Sequence, residues 1–118
     1  MSWDFYIRKK TGEPYPFHNE LRGGTYCVAG CDEAWLNVTY NYGKFYHPVF
    51  EKYGMKRIDD LSGKTVKETL PMLREIVDTL EGEPSRDYWE PCPGNAKRAM
   101  MNLIYMSEAC SDGIWEVY

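Results

Sequence analysis

From Ser2 to Arg8 the chain alternates Trp3, Phe5 and Ile7 with Asp4, Tyr6 and Arg8, the period-two pattern of a strand with one buried face. The following KKTGEPYPFHNELRGG carries turn formers, two prolines and two adjacent glycines, and reads as one long irregular loop over residues 9–24. Thr25 to Ala29 and Ala34 to Tyr42, rich in Tyr, Val, Thr and Trp, predict two strands. The short turn Gly30-Cys31-Asp32-Glu33 would join them as a hairpin.

The period then changes. Phe45, Val49, Phe50 and Tyr53 recur at helical spacing, and Pro48 restricts this helix to a short one with the proline in its first turn, ended by Gly54. The clearest helix lies in LSGKTVKETLPMLREIVDTLEG, with Leu70, Leu73, Ile76, Val77 and Leu80 on one face and Gly82 as its stop. Pro71 is expected in its first turn with Thr69 as cap, after a capping turn from Thr65 to Glu68. Past the linker EGEPSRDYWEPCPG, Asn95 is expected to cap a helix over Ala96–Ala109, whose core stripe is Ala99, Met100, Leu103, Ile104 and Met106. Gly113 turns the chain into IWEVY, a fourth strand. The order predicts an α+β domain over residues 1–118, an antiparallel sheet of about four strands with about three helices packed mainly on one face.

Composition narrows the function. A chain of 118 residues, 43% hydrophobic and 27% charged, suits one globular domain with a real core. The net charge of -4 argues against generic nucleic-acid binding, which needs a clustered surplus of Lys and Arg; only a local basic patch would restore it. No segment approaches the roughly 18 apolar residues of a membrane span and the N-terminus lacks a signal pattern, so a cytoplasmic protein is expected. In that reducing compartment Cys27, Cys31, Cys92 and Cys110 are read as thiols. Cys27 and Cys31 have no second paired ligand set, only His18 and His47 beside them, so no metal and no cofactor is expected.

SGKT at Ser62–Thr65 looks like the end of a phosphate-binding loop, but Ile58 stands where that pattern needs its first glycine and RIDDL is no apolar strand. No spacing selects a nucleophile for His18 or His47, and Asp59, Asp60, Glu83, Asp87 and Glu90 read as solvated loop acids, so no catalytic residue is assigned. The more specific constellation is aromatic and amide-rich. Asn37, Tyr40, Asn41 and Tyr42 lie at a strand end, Tyr88 and Trp89 in a loop, and Asn95, Lys97 and Arg98 at a helix start. Rings stack planar ligands, and a helix N-terminus offers free N–H groups to an anion. Lys97 and Arg98 there oppose the helix dipole by about 0.3–1 kcal/mol each, a penalty that an anion cancels. Trp115 is a weaker ligand candidate, because it also suits the core.

Four stretches carry a resemblance: NVTYNYG at 37–43, LSGKT followed by LPMLREIVDTL, DYWEPCPGNAKRAM, and the closing DGIWEVY. Together they span most of residues 36–118, and they resemble small proteins of bacteriophages and related mobile elements. The resemblance implies a phage or prophage origin and transfers no catalytic residue. In that setting a small non-enzymatic protein is expected to act by binding, as a sponge for an anionic, nucleotide-derived signal of host defence. The alternatives are a protein inhibitor of a host defence protein, an enzyme that degrades the signal, and a structural or regulatory phage protein. A homo-oligomer is also expected, through pairing of the IWEVY edge across a two-fold axis.

Overall fold

The alternation in Ser2–Arg8 becomes the central strand, β1, of a three-stranded antiparallel sheet in the order β4-β1-β5. The computed structural model describes residues 1–19, 31–87 and 90–118, and within them the remaining elements run as follows. β2 (Pro16–Asn19) and β3 (Cys31–Glu33) form a separate two-stranded sheet, and β4 is Trp35–Thr39. A 3-10 turn (Tyr40–Tyr42) leads into α1 (Gly43–Lys52), a second (Ile58–Leu61) precedes α2 (Val66–Thr79), and α3 (Pro93–Ala109) precedes β5 (Ile114–Val117). The fold is α+β, as the element order predicts, with the expected sheet resolved into one of three strands and one of two.

Register explains the core. Phe5 faces Leu36 on one side and Val117 on the other, while Ile7 faces Trp115, so the inward rows of three strands coincide. These side chains join Tyr46 and Phe50 of α1, Leu73 and Ile76 of α2, and Met100 and Leu103 of α3 in one hydrophobic cluster. Trp115 is sealed within it, its indole N–H donating to the Thr69 hydroxyl at 2.8 Å. Tyr46 is likewise buried, and its hydroxyl donates to the Ala96 carbonyl at 2.8 Å, tying α1 to α3.

Several local expectations change. The loop over 9–24 contains β2, and Cys31–Glu33 of the expected turn is β3, because the two segments satisfy each other's backbone groups; Ala34 N–H also donates to the Tyr15 carbonyl at 2.9 Å. The strand expected at Thr25 to Ala29 lies outside the described residues, as do residues 20–24. Pro48 and Pro71 stand sixth in their helices instead of in the first turn. The carbonyls that lose a donor belong to Lys44 and Lys67, four residues earlier, and both residues are exposed. The Thr65–Glu68 capping box caps α2 directly, with Glu68 N–H donating to Thr65 at 3.2 Å and Thr65 N–H to the Glu68 carboxylate at 3.0 Å.

The SGKT segment closes a sheet edge. Gly63 N–H donates to the Trp115 carbonyl at 2.9 Å, Trp115 N–H to the Lys64 carbonyl at 3.0 Å, and Val66 N–H to the Gly113 carbonyl at 3.0 Å. The Ser62 hydroxyl accepts from Val117 N–H at 2.8 Å. The outer backbone groups of β5 are therefore occupied within the chain, which removes the edge expected to pair with a second copy. No helix among the described residues is long and apolar enough to cross a membrane.

Burial pushes the Tyr42 hydroxyl up to about 12 and the Cys110 thiol up to about 11, and raises Tyr46 well above its ordinary value. All three hold their protons more tightly folded than unfolded. Their contribution is fully present below the unfolded values of 9.0 for the thiol and 10.0 for the phenols, and is lost as pH rises through that range toward the folded values. Thermal melts at increasing pH should show a constant midpoint to about pH 9 and a progressive fall above it, with the phenolate absorbance of the buried tyrosines appearing only on unfolding.

Candidate functional site

The strand-end and helix-start residues singled out by the sequence have divergent fates. Asn37 is buried on β4, and its amide donates to the Ser2 hydroxyl and the Asp4 carboxylate, both at 2.8 Å. Trp35 donates to the same carboxylate oxygen at 3.0 Å, so this cluster fastens β4 to β1. Tyr42 lies in the core with its ring 6.4 Å from that of Tyr46, and burial outweighs the opposing charge of nearby Arg98 in setting its acidity. Asn41 is exposed, and its N–H donates to the Thr39 hydroxyl at 3.2 Å, capping the 3-10 turn. Tyr88 and Trp89 lie outside the described residues.

The expected anion site at the start of α3 is filled by the protein itself. Cys92, not Asn95, is the N-cap residue, and Pro93 opens the helix. Asn95 is buried in the first turn, accepting from Ser85 N–H at 2.9 Å and donating to the carbonyls of Asp87 at 2.8 Å and Glu90 at 3.1 Å. Gly94 permits a close approach, but of the chain's own backbone: a Cβ there would stand 2.0 Å from the Glu83 carbonyl oxygen. Lys97 and half-buried Arg98 follow on the same turn, Arg98 reaching Asn95 at 3.5 Å. The Asn95 amide thus holds the preceding loop in place, its oxygen and its N–H groups bonded within the fold.

Tyr40 differs from Tyr42. Its N–H extends the β1–β4 ladder to the Met1 carbonyl at 3.1 Å, and the 3-10 turn then throws its ring outward, 43% exposed. The ring meets Trp3 with centroids 4.5 Å apart and planes tilted by 56°. Trp3 occupies the first inward position of β1, where the helical layer ends, and its indole rests on Gly43; a Cβ at Gly43 would lie 3.0 Å from Trp3 and 3.6 Å from His47 Nε2. Trp3, Tyr40, His47, Arg57, Ile58 and Asp59 together line a cleft of about 260 Å³.

The charged rim is built by the turn before the second 3-10 element. The Asp60 carboxylate accepts from Lys56 N–H and Arg57 N–H, both at 3.0 Å, which holds Arg57 in extended backbone conformation. From there its guanidinium donates to Asp59 at 3.0 Å, but the side chain is 76% exposed. An ion pair so open to water contributes at most about 1 kcal/mol, so an incoming anion exchanges for it at small cost. The cleft offers two ring faces, an imidazole, a guanidinium and a carboxylate acceptor. Trp3, His47, Arg57 and Asp59 are not among the ligand residues that the sequence selects: Trp3 reads as part of the buried strand face and Asp59 as a solvated loop acid. The one available signal was register: pairing Trp3 with Val38 puts it two residues from Tyr40.

Comparison with known protein families, curated proteins and solved structures gives no significant match to this chain, so the site rests on its own geometry.

Asn95→Ala should strip Ser85 N–H and two carbonyls of their partner and lower stability by about 1–3 kcal/mol in urea unfolding. Lys97→Ala should stay within about 0.5 kcal/mol. Equal effects would show that the Asn95 amide does not hold the 81–92 loop.

Proposed function

We propose that the protein is a non-catalytic binding domain that captures a small planar anion of nucleotide type in the cleft lined by Trp3 and Tyr40. One observation carries this reading: two tilted rings in contact, centroids 4.5 Å apart, stand beside an exposed guanidinium whose ion-pair partner Asp59 is itself solvent-accessible. A ligand ring stacks on the exposed face of Tyr40 and against Trp3, while Arg57 and His47 meet its anionic group and Asp59 accepts from a ring N–H. The cleft volume of about 260 Å³ falls below the roughly 300–1,000 Å³ of pockets that enclose a drug-sized ligand, which suits one ring with its anionic group.

The six lining residues supply stacking, charge and hydrogen bonding, the means of retention. In the phage or mobile-element setting that the sequence resemblance implies, retention without conversion amounts to sequestering a nucleotide-derived defence signal of the host. Compared with the sequence reading, the planar part of the ligand moves from the Asn37 and Tyr42 side of the strand end to the Tyr40 side. The anion contact moves from the tip of α3 to Arg57.

The test is to incubate the protein with lysate of bacteria whose nucleotide-signalling defence is active, repurify it, release bound material by heat, and identify it by mass spectrometry. An intact nucleotide is expected from the unaltered protein. Tyr40→Ala and Arg57→Gln should each retain at least about tenfold less, in line with about 1–3 kcal/mol for a stacked base, without loss of thermal stability. A converted nucleotide would identify an enzyme instead, and a co-purifying host protein with no small molecule would identify a protein inhibitor.

A further inference from the structure

A second surface collects the positive charge that the chain as a whole lacks. Where β1 ends, Lys9 and Lys10 enter a tight turn in which Lys9 N–H donates to the Glu13 carbonyl at 2.9 Å and Gly12 N–H to the Lys9 carbonyl at 2.8 Å. This turn lies beside the Ser62–Val66 segment that closes the edge of β5. Two clefts lie along this surface, and Lys10 lines both. One, of about 240 Å³, is lined by Arg8, Lys9, Lys10, Gly12 and Gly63 among others; the second, of about 200 Å³, by Lys10, Thr65, Lys67, Ser111 and Asp112.

The charge balance of this surface is unlike that of the chain. Four cations face two carboxylates, Glu116 and Asp112, in a protein of net charge -4. Arg8 is already committed, to Glu116 at 2.9 Å and Glu33 at 3.6 Å, and Asp112 accepts from the Tyr15 hydroxyl. Lys9, Lys10 and Lys67 form no close ion pair among the described residues, although, behind the Tyr15 hydrogen bond, the charges of Lys10 and Lys9 help hold the Asp112 carboxyl below its ordinary value. Gly12 and Gly63 have positive φ, 89° and 87°, with open space where a side chain would be, so the first cleft is lined by bare backbone at both points. Trp115 also borders the first cleft but is only 1% exposed, and among the described residues no other ring lines either cleft.

We infer that this surface binds a linear phosphate chain of two or three phosphates, either free or carried by a nucleotide, with Lys9 and Lys10 holding one end and Lys10 and Lys67 the other. Two clefts with one lysine in common match an extended polyanion better than a single compact anion. The missing ring face means that the phosphates are recognised and not a base. The site is independent of the Trp3–Tyr40 cleft: the two share no lining residue.

Inorganic triphosphate is the probe, titrated calorimetrically into the full chain at low and moderate salt. Saturable binding that weakens with salt is expected, and Lys10→Ser with Lys67→Ser should reduce affinity at least about tenfold and flatten the salt dependence. The double variant Lys44→Ser with Lys52→Ser changes net charge equally and should leave affinity unchanged; an equal loss there would reduce the effect to overall charge and overturn the site. Tyr40→Ala and Arg57→Gln should not alter triphosphate binding, so failure of the cleft reading leaves this test intact. A nucleoside triphosphate should bind as tightly as triphosphate itself to the Tyr40→Ala variant. Absence of triphosphate binding, or binding abolished by Tyr40→Ala, would refute the inference.

Discussion

Everything in this fold hangs on β1 being paired along both edges. Its odd residues bond to β4 and its even residues to β5, so the first seven-residue strand joins the middle of the chain to its last strand. Phe5 and Ile7 are sealed only because Leu36 and Val38 on one side and Trp115 and Val117 on the other bring their inward rows into line. These are contacts between residues more than a hundred positions apart at one edge, which carry a large loop-closure cost before they gain any burial. The closing segment at Ser62–Val66 completes the arrangement by occupying the far side of β5, and the Trp115 indole bond to Thr69 locks that strand to α2.

The same economy governs polar groups. Among the described residues no buried side-chain nitrogen or oxygen lacks a hydrogen-bond partner. Amides and hydroxyls that look from the sequence like ligand contacts are therefore the natural candidates for internal bonding, since an unpaired one would cost about 1–3 kcal/mol. Asn37 fastens two strands and Asn95 holds a loop against α3. Groups left for a partner are those that the fold pushes outward: the ring of Tyr40, the guanidinium of Arg57, and the lysines around Gly12 and Gly63. Binding capacity in such a small domain concentrates where turns interrupt the regular elements, because backbone groups there are satisfied locally and side chains are released to solvent.

Much of the fold could be read directly. The strand at Ser2–Arg8, the three helical regions, the terminal strand and the glycines at 54 and 82 follow from periodicity and local backbone preference, which act within a few residues. The misplaced features are those settled by partners far along the chain. Pro48 and Pro71 lie inside helices because packing of Val49, Phe50, Met72 and Leu73 into the core outweighs one lost backbone bond in each. Cys31–Glu33 is a strand because β2 lies opposite, although the residues alone suit a turn.

The amino-acid order by itself determined the α+β class, the inward faces of the strands and helices, and the aromatic-rich, weakly acidic character of the chain, since each depends on composition or short-range period. Tertiary structure decided which of two neighbouring tyrosines faces water, which asparagines are consumed, and that Lys10 lines one cleft with Lys9 and another with Lys67. Those outcomes depend on register and on the path of turns. A shift of one residue in β4 would exchange the core-facing row, Leu36 and Val38, with the opposite row, Asn37 and Thr39, and no pattern within the strand alone records which row its neighbours cover.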